Sequence, residues 1–176
     1  MREWIPVSTS PKGRLALAAV EEFGARPFDE VTVGELAAAA KITTGALYHH
    51  FGNKLGLYSF VRADVERRLL DRMEGAIAAS GPQSERSAAV TSALLVGLDF
   101  AVREGFLRIL GNPPTGTEHD RLAEMLSGSA GPTAPLLGRV LAAAWREALE
   151  AVAEGAEPGH ARAAIAALRL HLPDGG

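Results

Sequence analysis

Residues 43–54, TTGALYHHFGNK, gather two threonines, a tyrosine, two adjacent histidines and a lysine in one short run. Side chains of these types serve acid–base or nucleophilic catalysis, metal ligation, or hydrogen bonding to nucleic acid. Metal ligation fails on geometry. Adjacent histidines on a helix project about 100° apart, and no third ligand follows at a useful spacing. Catalysis lacks its frame, because the chain shows no nucleophile elbow, phosphate loop, metal-ligand cluster or paired acid–base carboxylates. The expectation is therefore a protein that is not an enzyme and uses no cofactor and no metal.

Charge bears on the nucleic-acid option. The net charge of –3 is not that of a generally basic binder. Residues 1–74 sum to zero, and the whole deficit lies in residues 75–176. Any contact with DNA must come from locally placed groups.

Placing the run requires the elements around it. Ser10-Pro11 has the form of a helix start, serine capping and proline at the first helical position. Leu15, Ala19 and Phe23 then form one apolar face, and the pattern stops near Gly24. Thr32 followed by Glu35 has capping-box spacing and opens a second helix through Ala40. Lys41-Ile42 make a tight turn, and Thr43 caps a third helix to Phe51. Asn53 caps a long fourth helix, from Lys54 to about Ala79, with a heavily charged side that includes Arg62, Glu66 and Arg72. Further helices are expected over 84–103, 104–110, 117–126 (capped by Thr117), 135–154 and 158 to Pro173. Residues 127–135, SGSAGPTAP, read as a loop. In the eighth helix Leu137, Leu141, Ala144, Ala148 and Val152 make the apolar stripe. The fold class is all-α, with about nine helices: a three-helix domain over 1–54, joined by the long fourth helix to a helical bundle over 55–176.

On a helical wheel Leu47 and Phe51 point inward, Gly45 and His49 lie opposite, and Ala46 and Tyr48 flank them. An exposed glycine weakens a helix by about 1 kcal/mol relative to alanine. Close approach of another surface, such as a DNA major groove, would account for it.

With these elements in place, residues 13–58 resemble the DNA-binding region of the TetR family of bacterial transcriptional regulators. The resemblance rests on Ala18-Ala19, Phe23, Val31-Thr32-Val33, Leu36-Ala37, Ala40 and, most specifically, Thr43-x-Gly45-x-Leu47-Tyr48-x-His50-Phe51-x-x-Lys54. It implies a homodimer that reads a palindromic operator with the third helix in the major groove. Carried over by position, Thr43, Thr44, Gly45, Ala46, Tyr48, His49 and His50 face DNA, with Thr44, Ala46 and His49 on the side that touches bases. Thr32 and Lys54, at the starts of helices two and four, stand where free amides favour a phosphate. Three positions depart from the family pattern. Pro27 and Lys41 stand where glycine is usual, and Leu55-Gly56 follows Lys54 in place of an acidic residue. Gly56 is expected to loosen the first turn of helix four.

The resemblance also implies a repressor released by a small molecule bound in the second domain, whose apolar content suggests a largely apolar ligand. Phe100, Phe106, Met125 and Trp145 are the candidate ligand-binding residues. The alternative is a DNA-binding protein of the same fold that is constitutive or controlled by a protein partner. Asp99 could anchor a ligand, but the preferred reading is an exposed i,i+4 pair with Arg103. Alanines 142–144, 148, 161, 164 and 167 suit close packing of two helices per protomer in a dimer. The absence of cysteine, of a membrane-length apolar run and of a signal-peptide pattern places the protein in the cytoplasm, with no membrane partner.

Overall fold

The computed structural model describes residues 9–81, 85–114, 119–131 and 136–168. Every regular element among them is helical: α1 (Pro11–Ala25), a 3-10 turn (Phe28–Glu30), α2 (Val33–Ala39), α3 (Thr44–Phe51), α4 (Lys54–Ala79), α5 (Arg86–Glu104), α6 (Leu107–Gly111), α7 (Arg121–Ala130), α8 (Leu137–Ala153) and α9 (Pro158–Ala167). The chain divides into two compact units, Met1–Val65 and Glu66–Gly176. The division falls within α4, beyond the helix start at which the sequence motif ends.

In the first unit the caps lie where the sequence puts them. Ser10 accepts from Gly13 N at 3.0 Å and Thr43 from Ala46 N at 3.3 Å. Thr32 and Glu35 complete a reciprocal capping box. Leu15, Ala19 and Phe23 of α1, Leu36 of α2 and Leu47 of α3 are buried together with Leu57, Tyr58 and Val61 of α4. The edge of the Tyr58 ring meets Phe23 and Phe28, with centroids 5.1 Å away in both cases. This packing explains why the first turns of α4 belong to the head.

The α2–α3 turn has a defined cause. Ile42 N donates to Ala37 O and Lys41 N to Ala38 O, both at 3.0 Å, which is the Schellman pattern. That pattern needs a left-handed residue, and Lys41 takes it with φ 54. At the next corner Gly52 has φ 77. A Cβ on Gly56 would stand 2.1 Å from Phe51 O. Asn53 Oδ1 accepts from Gly56 N at 2.7 Å. Gly56 thus does not loosen the start of α4. It is the residue that lets the helix begin against the end of α3.

The second unit departs from the sequence reading in several places. α7 starts at Arg121, capped by Asp120, and continues through Ala130; Thr117 lies outside the described residues. α7 runs on through Ala130, and α8 approaches it closely at Gly138, where a Cβ would fall 2.1 Å from Ser127 Oγ. The buried face of α8 is Gly138, Leu141, Ala142, Trp145, Arg146 and Leu149, whereas Ala144 of the expected stripe is exposed. α9 ends at Ala167, with Pro173 outside the described residues. The charged side of α4 is only partly solvated, since Arg62 and Glu66 are buried.

Candidate nucleic-acid interface

α3 is short, and its one fully buried side chain is Leu47. Phe51 is half-buried, its ring tilted against that of Phe60 with centroids 5.3 Å apart. The opposite side is open. Thr43, Thr44, Gly45, Tyr48 and His49 are exposed, Tyr48 to 54%, while Ala46 and His50 are half-exposed. The His49 and His50 rings lie 5.1 Å apart in edge contact. Together these groups offer hydroxyls, imidazoles and a phenol along one helix face.

Gly45 is informative because nothing among the described residues requires it. A Cβ there would meet only Thr43 Oγ1 at 3.8 Å, and the backbone is ordinary helix. Gly34, in the first turn of α2, is similarly open, with Thr32 Oγ1 3.9 Å from a Cβ. In the sequence Gly34 is marked only as a helical glycine with no turn to make. Gly56, by contrast, is demanded by the fold.

The other expected contacts sit in more occupied surroundings. Thr32 N and Oγ1 both donate to Glu35 Oε2 at 2.7 Å. Glu35 also receives Arg26 Nη1 at 3.0 Å, and Arg26 Nη2 reaches Glu22 at 2.7 Å. Hydrogen bonds from Thr32 first, then Arg26, hold the Glu35 carboxyl down from 4.5 to about 2. Those carboxylates raise Arg26 in turn. A phosphate approaching the start of α2 would share that amide and hydroxyl with Glu35. Lys54 has partners other than the phosphate foreseen for it: its Nζ donates to Phe28 O and Val31 O at 2.9 Å each.

The expected ligand residues are core residues. Phe100, Phe106 and Trp145 are 1–2% exposed. The phenylalanine rings meet edge to face at 5.5 Å. Trp145 Nε1 donates to Leu94 O at 3.0 Å, so its buried N–H is satisfied. Met125 is half-buried on α7. None of the four lines either of two described cavities along α5 and α9. One, of about 590 Å³, is bordered by Ser87, Thr91, Leu95, Asp99, Arg162 and Leu168. The other, of about 200 Å³, shares Asp99 and Arg162. Asp99 pairs with Arg162, while Arg103 turns to Glu104 at 3.2 Å. The expected Asp99–Arg103 pair is therefore absent, because Arg162 of α9 supplies a partner whose Nη1 donates to both carboxylate oxygens.

Among the described residues no group of three His, Asp or Glu side chains could hold a metal, and no helix is long and apolar enough to cross a membrane.

With this geometry established, the family description "bacterial regulatory proteins, tetR family" matches residues 16–59, from α1 into α4. The chain is similar in fold to a TetR-family transcriptional regulator from Pectobacterium atrosepticum, at 23% identity, 89% coverage of both chains and a TM-score of 0.66. A TetR-like transcriptional regulator from Rhodococcus sp. RHA1 is 21% identical, over 92% of this chain and 94% of that one, with a TM-score of 0.65. A TetR-family regulator from Streptomyces coelicolor A3 is 19% identical, over 93% and 97%, with a TM-score of 0.52.

Proposed function

We propose that this chain, which belongs to the TetR family of bacterial transcriptional regulators, is a repressor that binds a palindromic operator as a homodimer, with α3 in the major groove. The observation that carries this is the α3 surface. A helix anchored by Leu47 presents Thr43, Thr44, Gly45, Ala46, Tyr48, His49 and His50, and its glycine answers no need of the described residues. Tyr48, His50 and the Thr43 hydroxyl bond phosphates and sugars, which sets register. Thr44, Ala46 and His49 read base edges, Ala46 by apolar contact with a thymine methyl. Thr32 adds an amide contact at the start of α2. A two-fold dimer built through α8 and α9 places two α3 helices on half-sites about one helical turn apart. The exposed Leu136, just before α8, and Val140 and Ala144 within it supply apolar surface for it.

A small molecule bound in the second unit releases the operator by favouring a shape of α4 that does not fit it; coupling of this kind requires different affinities for the two shapes. One observation favours the constitutive or partner-controlled alternative. The core around Trp145 is tight, with a Cβ on Gly97 falling 3.0–3.2 Å from Met73, Leu69 and Trp145.

Selection from a random duplex pool tests the reading. Wild-type protein is expected to enrich a palindrome, and a Tyr48→Ala, His49→Ala variant to enrich none. Enrichment of the same site by the variant would remove α3 from the interface. Once obtained, the duplex serves to screen ligands for release.

A further inference from the structure

Lys54 begins α4, yet its ammonium faces back into the head. Two of its three donors meet main-chain carbonyls of the Phe28–Val31 segment at 2.9 Å. The Phe28 ring lies 4.2 Å from Nζ, a cation–π distance. Phe28 is itself held by Phe23 of α1 at 5.7 Å and by Tyr58 of α4 at 5.1 Å. Val31 is fully buried, and the next residue is Thr32, the cap of α2. The ammonium therefore ties the start of α4 to the segment that delivers α2.

Other cations of the head are placed in the same manner. Lys12 sits over the Phe51 and Phe60 rings at 5.6 and 4.9 Å. Arg14 Nε donates to Ala40 O at 3.2 Å, and Arg26 is held by Glu22 and Glu35. A basic residue in this head is more often a fastener between elements than a free charge.

We propose that Lys54 is a positioning residue: it fixes the Phe28–Val31 segment on the start of α4, so setting where Thr32 and α2 stand beside α3, and it neutralises no phosphate. The proposal rests on the DNA-binding reading above. Its signature is in the salt dependence. Each neutralised phosphate contributes about 0.9 to the slope of log K against log salt, so two direct Lys54 contacts per dimer would contribute about 1.8. A positioning lysine contributes nothing to that slope.

The experiment measures binding of a selected duplex by fluorescence anisotropy across a salt series, for wild type, Lys54→Met, Lys54→Arg, Thr32→Ala and the Lys54→Met, Thr32→Ala double variant. Lys54→Met is expected to bind about tenfold more weakly at every salt, the factor for one lost hydrogen bond to a charged group, with the wild-type slope. Lys54→Arg keeps the charge but replaces the compact ammonium by a planar fork, and is expected to be equally weak. The double variant should bind little worse than Lys54→Met, because Thr32 is already displaced. A slope reduced by about 1.8, or wild-type affinity in Lys54→Arg, would overturn the proposal.

Hydrogen exchange provides a readout that needs no DNA. In Lys54→Met the amides of residues 31–36 should exchange faster while those of α8 stay unchanged. Unchanged exchange at 31–36 refutes the strut. If wild type selects no duplex, the DNA-binding reading falls, and the exchange result still decides what Lys54 holds.

Discussion

Replacing Gly45 by alanine should raise stability and lower DNA affinity together. The residue is helical and exposed, and the added methyl would meet only Thr43 Oγ1 at 3.8 Å. Alanine therefore gains the helix-propensity difference without a clash, about 0.5–1 kcal/mol at this end of the helix. For a chain of this size that corresponds to a rise of roughly 1–4 °C in Tm. In the groove the sign reverses. A methyl forced into a packed contact costs about 1–3 kcal/mol, and the dimer carries two, so binding weakens by about 2 kcal/mol or more, thirtyfold at least. Urea or thermal unfolding gives the first quantity and anisotropy with a selected duplex gives the second. A stabilised Gly45→Ala protein that binds as tightly as wild type would refute the reasoning, because no surface could then approach α3 at that point. A destabilised one would refute the geometric premise.

Gly56→Ala should behave oppositely to Gly45→Ala, losing about 2–4 kcal/mol in urea unfolding, since its Cβ would strike the Phe51 carbonyl; a loss under 0.5 kcal/mol contradicts the described corner. Lys41→Gly should stabilise by about 0.5–1 kcal/mol, relief of left-handed strain outweighing the added freedom of the unfolded chain. No gain in the unfolding midpoint would deny that strain. Asp120→Ala removes both the α7 cap and the two-pronged partner of the nearly buried Arg146, at 2.7 and 2.8 Å, and should cost about 3 kcal/mol. A cost below 1 kcal/mol would show the pair to be dispensable. The Glu35 carboxyl is lowered on folding from 4.5 to about 2, so the stability it contributes is present above pH 4.5 and lost as pH falls towards 2. Acid titration of unfolding should show that loss reduced in Glu35→Gln, and identical profiles for the two proteins would count against the capping box.

Local rules made the reading head legible. Ser10, Thr32, Thr43 and Asn53 are caps whose partners lie three residues away, and Leu47 faces inward by helical periodicity alone. What local rules left hidden was nonlocal. Asp99 found Arg162 on α9, not the neighbour one turn along, and Lys54 found carbonyls 23 and 26 residues earlier. The run SGSAG read as a loop by composition, yet it continues α7, and its Ser127 lies against Gly138 of α8, a contact that appears only when the second helix is in place. Gly56 was misread for the same reason, its Cα lying against the carbonyl of another helix. Trp145 was singled out because a buried indole needs an acceptor, and the acceptor is Leu94 O in the core.

Photo-cross-linking tests the central claim most directly. A selected duplex carrying 5-iodouracil is irradiated with the wild-type protein, and the attached peptide is identified by mass spectrometry. The α3 reading predicts attachment within residues 43–54, at Tyr48 or His49, with none to an unrelated duplex at the same salt. Attachment confined to the second unit, or equal attachment to both duplexes, would contradict it.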